Sequence, residues 1–315
     1  MENRENKIIF SLIVANIVLI IIFCSGLMLK SHKKNLNSAR LAFIPENSMI
    51  SRILLVSGNE SLELQNTDNG WRGVKDSFDF LTDENVVNGF LEELKKIHPA
   101  VILSSSLSEI HRYGLDEDNV FKIKLFAENG TVISDLNFGF ENNLGENISY
   151  YSGIDNHIYS IDGAISSYLN LKTSYWGELD LFYKGFDYNK LQGFTFISYD
   201  TSGSIENRVE IIKNDVNSWS LNNSFNNSKP VILPDTDIKE YFRKVSLLRA
   251  LDISNAGRDK MPGEKYSLTF QWGDGSVDSF LIYEEAEDMT LFSGFSDTWY
   301  TISSYTLEKL LPDFL

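Results

Sequence analysis

Tyr151-Ser152-Gly153 followed by Ile158-Tyr159-Ser160-Ile161, and Phe292-Ser293-Gly294 followed by Trp299-Tyr300-Thr301-Ile302, are the stretches on which the fold turns. In each, an aromatic-Ser-Gly triplet precedes, after four residues, an apolar-Tyr-hydroxyl-Ile run. Tyr151 and Phe292 are 141 positions apart, as are Ile158 and Trp299. A constant offset over two short blocks is the mark of an internal repeat.

Working outward, the same correspondence recurs with small drifts. Trp71 and Trp219 are 148 apart, and the turns Asn129-Gly130 and Asp274-Gly275 are 145 apart. Between them lie two amphipathic helices. Val87, Phe90, Leu91, Leu94 and Ile97 recur at i, i+3, i+4, i+7 and i+10, and Ile238, Tyr241, Phe242, Val245 and Leu248 repeat that stripe 151 positions later. Asp83 opens the first helix and Pro99 ends it; Pro234-Asp235 opens the second.

The remaining pattern is of short β-rich runs joined by turn residues. Gly58-Asn59, Glu128-Asn129-Gly130, Ser202-Gly203 and Gly273-Asp274-Gly275 each separate two such runs and predict hairpins. Ile110–Asn119 reads as a loop with its sharp bend at Gly114, and residues 176–188 read as a linker. Short helices are expected at Ala164–Leu169 and Tyr305–Leu311. These signals predict an α+β chain: a transmembrane helix, then two repeated units, each a mostly antiparallel sheet with a helix packed on one face. The expected boundaries are a tail at 1–7, the transmembrane helix at 8–29, a stalk at 30–48, a first repeat at 49–185 and a second at 186–315.

The N-terminal expectation rests on Ile8–Leu29, 22 residues without a charge. As a helix this run is about 33 Å long, enough for a hydrocarbon core of about 30 Å. Arg4 and Lys7 bracket it on one side and Lys30, Lys33 and Lys34 on the other. The run is too long for the apolar part of a signal peptide, and no small-x-small cleavage site follows it. Two Lys/Arg before the run and four just after it favour a cytoplasmic body, whereas the seven-residue tail and long acidic body suit a signal-anchor. The reading adopted is a single-pass protein of the cytoplasmic membrane with its body outside the cytoplasm.

The formal charge is -16, and residues 1–40 carry six Lys/Arg against Glu2 and Glu5, so the rest of the chain is more acidic still. Such a body repels nucleic acid. Cys24, the single cysteine, lies in the apolar run, which excludes a disulfide framework, a CxxC redox pair and a cysteine zinc site within one chain.

Other chemistry is equally poorly signposted. There is no GxxxxGK[ST], no GxGxxG after a strand, no GxSxG elbow and no HExxH. His98, His111 and His157 stand at no ligand spacing and read as surface or hydrogen-bonded structural residues. Asp116-Glu117-Asp118 and Glu284–Asp288 lack the spacing of a calcium loop. Trp71, Trp219, Trp272, Trp299, Tyr159 and Tyr300 fall at repeated or strand positions that core packing explains. No catalytic, cofactor-binding or metal-binding residue is assigned.

The order of these elements resembles the bacterial family of the domain of unknown function 4340. The resemblance is carried by Trp71 before the helix, the Tyr113-Gly114-Leu115-Asp116 turn, the following hairpin, Phe138-Gly139, and Tyr150-Tyr151 with Ile158–Ile161. It covers most of 50–185, with a more degenerate copy beyond. A proline usual after Gly-Leu-Asp is replaced by Asp118-Asn119, and the second copy offers only Asn255-Ala256-Gly257-Arg258 in place of that triplet.

The resemblance implies a membrane-anchored, non-enzymatic protein that accompanies ABC-type exporters related to gliding-motility transporters. Its partners would be a permease or auxiliary subunits. The alternative is an extracytoplasmic module binding a glycan, peptide or lipid in a groove between the repeats. The surfaces expected to meet a partner are those where the copies differ: Tyr113, Gly114, Leu115 and Asp116 in the first, and Glu284, Glu285, Glu287 and Asp288 in the second.

Overall fold

The structure is a computed structural model that describes residues 38–45, 47–153, 155–182, 186–215, 218–224, 229–255, 263–285 and 288–311. The expected transmembrane run 8–29 and the Ala256-Gly257-Arg258 stretch lie outside the described residues. Among the described residues no helix is long and apolar enough to cross a membrane.

Turn chemistry and period-2 burial dominate what is described. Among the described residues, nineteen strands fall into two mostly antiparallel sheets, of ten and nine strands, against four α-helices: α1 (Glu84–Lys95), α2 (Thr173–Trp176), α3 (Asp235–Val245) and α4 (Ser304–Leu310). This corrects the expected α+β architecture to a mostly antiparallel β one. The physical reason is size. Helices of 12 and 11 residues are about 18 and 16 Å long, whereas nine strands at about 4.8 Å spacing span roughly 40 Å. The apolar stripes are real but too short to form a helical layer. Val87, Phe90 and Leu94 of α1 and Ile238, Tyr241, Phe242 and Val245 of α3 are buried.

The chain divides into two compact units. One comprises the chain up to Met49 with Val56–Asn59 and Glu92–Leu169; the other comprises Ile50–Leu55, Glu60–Leu91 and Asn170–Leu315. In the first, the sheet runs β1 (Ser38–Ala42), β6 (Ile97–Ser104), β10 (Ile158–Asp162), β9 (Asn147–Tyr151), β8 (Val132–Glu141), β7 (Phe121–Phe126). β6 begins directly after α1, and here the structure differs from the helical pattern. Ile97 is not the end of the helix stripe but an exposed β6 residue, and Pro99 pairs with Arg40 of β1 instead of ending a helix. Along β6 the residues alternate outward and inward, so His98 and Ala100 are buried while Ile97 and Val101 face out.

In the second unit, β2 (Arg52–Ser57), whose first four residues belong here, precedes a meander of β3 (Glu60–Thr67), β4 (Gly70–Lys75) and β5 (Phe78–Leu81). The nine-stranded sheet has the order β14 (Val231–Pro234), β13 (Ser218–Asn223), β12 (Ile205–Lys213), β11 (Leu191–Tyr199), β16 (Tyr266–Trp272), β17 (Val277–Glu285), β18 (Asp288–Ser293), β19 (Thr298–Ile302), β15 (Asp252–Ile253). The predicted turns hold: Gly58, Gly130, Gly203 and Gly275 all adopt positive φ, which glycine tolerates without a Cβ penalty. β14 is an outer strand, with Val231 and Ile232 exposed.

The stretch read as a linker is packed. Trp176 is fully buried, its ring 5.4 Å from Phe90, and its indole nitrogen donates to the Asn170 carbonyl at 2.7 Å. Leu181 and Ala250 each donate a backbone hydrogen bond, to Leu248 and Leu179 respectively. Phe182 and Phe186 then enter an aromatic cluster with Phe242, Phe270 and Phe280.

Candidate functional site

The Tyr113–Asp116 turn is built into the first unit. Leu107–Tyr113 is a 3-10 turn in place of the expected loop, and Gly114 ends it at φ 67. Leu115 is buried against Val120 and Ile158, flanked by Ile110, Tyr113 and Tyr151. Asp116 accepts from the Asn119 amide nitrogen at 2.7 Å, and its carbonyl accepts from the Val120 N–H at 3.0 Å. On β9, Ser149 Oγ donates toward the Tyr113 carbonyl at 2.7 Å and lies 2.9 Å from that of Phe140. Glu117 and Asp118 are the exposed part of this turn.

The acidic stretch of the second unit is the tip of the β17–β18 hairpin. Glu284 is exposed and pairs with Met289, and Glu285 pairs with Asp288 in the backbone register. Glu287 lies outside the described residues. The two predicted contact stretches therefore belong to different compact units.

Tyr159 and Tyr300 are core residues, on β10 and β19. Tyr159 donates to Asp155 Oδ2 at 2.6 Å, and Tyr300 Oη lies 3.0 Å from Ser296 Oγ. Burial first, then the Asp155 carboxylate, pushes the Tyr159 phenol up to about 12. Burial likewise pushes Tyr300 up to about 12.

Two features were not singled out in the sequence. One is a groove of about 660 Å³ beside β1 and β6, lined by Ala42, Ile44, Pro45, Asn47, Ser48, Met49, Lys95 and Ile97. Phe43 and Ile44 are buried after β1, while Met49 is 84% and Ile97 64% exposed. Exposed apolar side chains lining one concavity are the usual mark of a contact surface. Lys95 is among its lining residues and brings a cation to the groove.

The other is a side-chain cluster of Glu93, His98 and Asp162, whose donor atoms all lie within 4.8 Å of one another. α1 supplies Glu93, β6 supplies His98, and Asp162 ends β10, where its Oδ1 accepts from the Ala164 N–H at 3.1 Å. His98 is buried beneath Phe43, whose ring stacks on the imidazole at 4.3 Å. Its Nε2 is 3.1 Å from the Glu93 carbonyl and its Nδ1 3.3 Å from Asp162 Oδ2. Lys96 Nζ lies 2.6 Å from Glu93 Oε2. Nothing local signals this arrangement, because His98 and Asp162 are 64 residues apart.

These observations define a mostly antiparallel β protein with a structural Gly-Leu-Asp turn and an apolar groove beside its first described strand. The chain belongs to the family of the Domain of unknown function (DUF4340), which matches residues 71–269. That match begins at Trp71 and takes in the Tyr113–Asp116 turn, Phe138-Gly139 and Ile158–Ile161. No curated protein matches the chain.

Proposed function

We propose that this chain is a non-enzymatic accessory protein of an ABC-type transport complex, anchored in the cytoplasmic membrane through its N-terminal apolar run with its body outside the cytoplasm. What carries this reading is the groove beside β1 and β6. β1 is the first described strand after the charge-free run Ile8–Leu29 and its following lysines, so the exposed Met49 and Ile97 belong to the part of the body that follows the anchor in sequence. A largely apolar groove with one lysine in its lining suits a segment of a permease or of an auxiliary subunit better than a soluble metabolite.

A photo-crosslinking residue at position 49 or 97 in intact cells tests it. The expected adduct contains a permease or auxiliary subunit, which also co-purifies in mild detergent and is lost on Ile97→Asp. Adducts with lipid alone, or co-purification indifferent to Ile97→Asp, would overturn the proposal.

We also infer that the body arose by duplication of one unit. The support is the fixed offset between the β9–β10 and β18–β19 stretches and the shared burial of Tyr159 and Tyr300. Overlaid on one another, β7–β10 and β16–β19 should superpose in order, with Tyr159 over Tyr300. A superposition only in another order would reject the duplication.

A further inference from the structure

We propose that Glu93, His98 and Asp162 form a binding site for a borderline divalent transition metal, of which zinc is the type, and that the Lys96 ammonium competes with the ion for it. The argument starts from the imidazole. His98 is 1% exposed, and its Nε2 faces the backbone carbonyl of Glu93 at 3.1 Å. A carbonyl only accepts, so Nε2 carries the hydrogen. A backbone carbonyl holding one ring nitrogen in this way is the usual support of a metal-ligating histidine, because it fixes both tautomer and ring orientation.

That leaves the lone pair on Nδ1 aimed at Asp162 Oδ2, 3.3 Å away. An imidazole lone pair and a carboxylate oxygen repel unless positive charge lies between them, either a proton or a metal ion. The distance fits the second case. Two ligands each about 2.0–2.1 Å from a tetrahedral zinc are separated by about 3.4 Å. Asp162 is free to serve, since its other oxygen holds the Ala164 N–H.

Glu93 supplies the third donor. It is 6% exposed, and a buried carboxylate requires a cation. Lys96 provides one at 2.6 Å, but the lysine side chain is 63% exposed and can swing into solvent. Phe43 stacked on the imidazole walls one side against water. One imidazole nitrogen with two carboxylates selects zinc and its neighbours over calcium and magnesium, which take oxygen ligands alone. Three protein ligands leave a fourth position open.

The full chain, purified in mild detergent and stripped with a chelator, is titrated with zinc and separately with cobalt(II). Thermal unfolding reads the first and visible absorbance the second. Wild type is expected to bind one ion with a rise in Tm. Asp162→Asn, which preserves the cap on Ala164, is expected to bind at least tenfold more weakly. Lys96→Met removes the competing cation without touching a ligand and is expected to bind at least threefold more tightly. Equal affinity in wild type and Asp162→Asn, or a Lys96→Met variant no tighter than wild type, would overturn the site. So would the absence of saturable binding.

Discussion

Gly139 leaves no space for a side chain against the carbonyl oxygen of Tyr113: a methyl group there would overlap that oxygen and meet the backbone of Gly114. The glycine on β8 is thus the seat on which the Gly-Leu-Asp turn rests. Gly139→Ala should destabilise the protein by about 1–3 kcal/mol, because the clash is with backbone that cannot rotate away. Ser149→Ala should cost about as much by withdrawing the donor shared by the Tyr113 and Phe140 carbonyls. Denaturant midpoints measure both, and unchanged midpoints would show that the turn is held elsewhere.

Trp176 makes a larger prediction. Its ring is fully buried against Phe90 and its indole is satisfied by Asn170. Trp176→Ala should cost about 3–5 kcal/mol, the range for deleting a buried aromatic. A loss below about 1 kcal/mol would restore the reading of residues 176–188 as a free linker.

Alkaline stability follows from the buried phenols. Burial, the largest cause in each case, raises Tyr150, Tyr159 and Tyr300 above the ordinary tyrosine value. The unfolded chain releases these protons near pH 10, the folded chain only nearer 12 for Tyr159 and Tyr300. Their contribution is therefore complete below about pH 10 and is lost as pH rises toward the folded values. Urea unfolding followed from pH 8 to 11 should show this decline, and Tyr300→Phe should flatten it. A slope identical to wild type would remove Tyr300 from the account.

At the acid end, Asp235 is the residue to watch. Its burial pushes the carboxyl up, but the Tyr188 hydroxyl at 2.6 Å and the Trp219 indole at 2.9 Å outweigh that, with help from Lys213 and Lys239, and hold it below the usual range. The stability it supplies is present above about pH 4 and is lost as pH falls through the lowered value. Asp235→Asn should flatten the acid limb of the stability profile and shift the emission of Trp219. Unaltered acid unfolding in that variant would count against it.

How much of this was legible in the sequence depends on the range of the interaction. The helix stripes and the glycine turns are local, and Val87, Phe90, Ile238, Phe242, Gly130 and Gly275 behave as their spacing implies. Ile97 misleads because at i+10 it stays in phase with the helix while also starting an alternating run that buries His98 and Ala100. Over four residues the two periods are not separable. Trp176 was concealed by its surroundings, since the turn-rich chain around it looks like connection rather than core. The meeting of Glu93, His98 and Asp162 joins a helix end, a strand start and a strand end, and only strand pairing brings them together.

The outer strand β14 has a consequence for behaviour at high concentration. Its exposed Val231 and Ile232 would suit annealing to a neighbouring molecule, yet Pro230 precedes the strand and Pro234 is its last residue. Neither proline has an amide hydrogen, and both fix their own backbone torsion, so an incoming strand finds a template only three residues long between two interruptions. The apolar surface stays outward without becoming a nucleus for fibre growth.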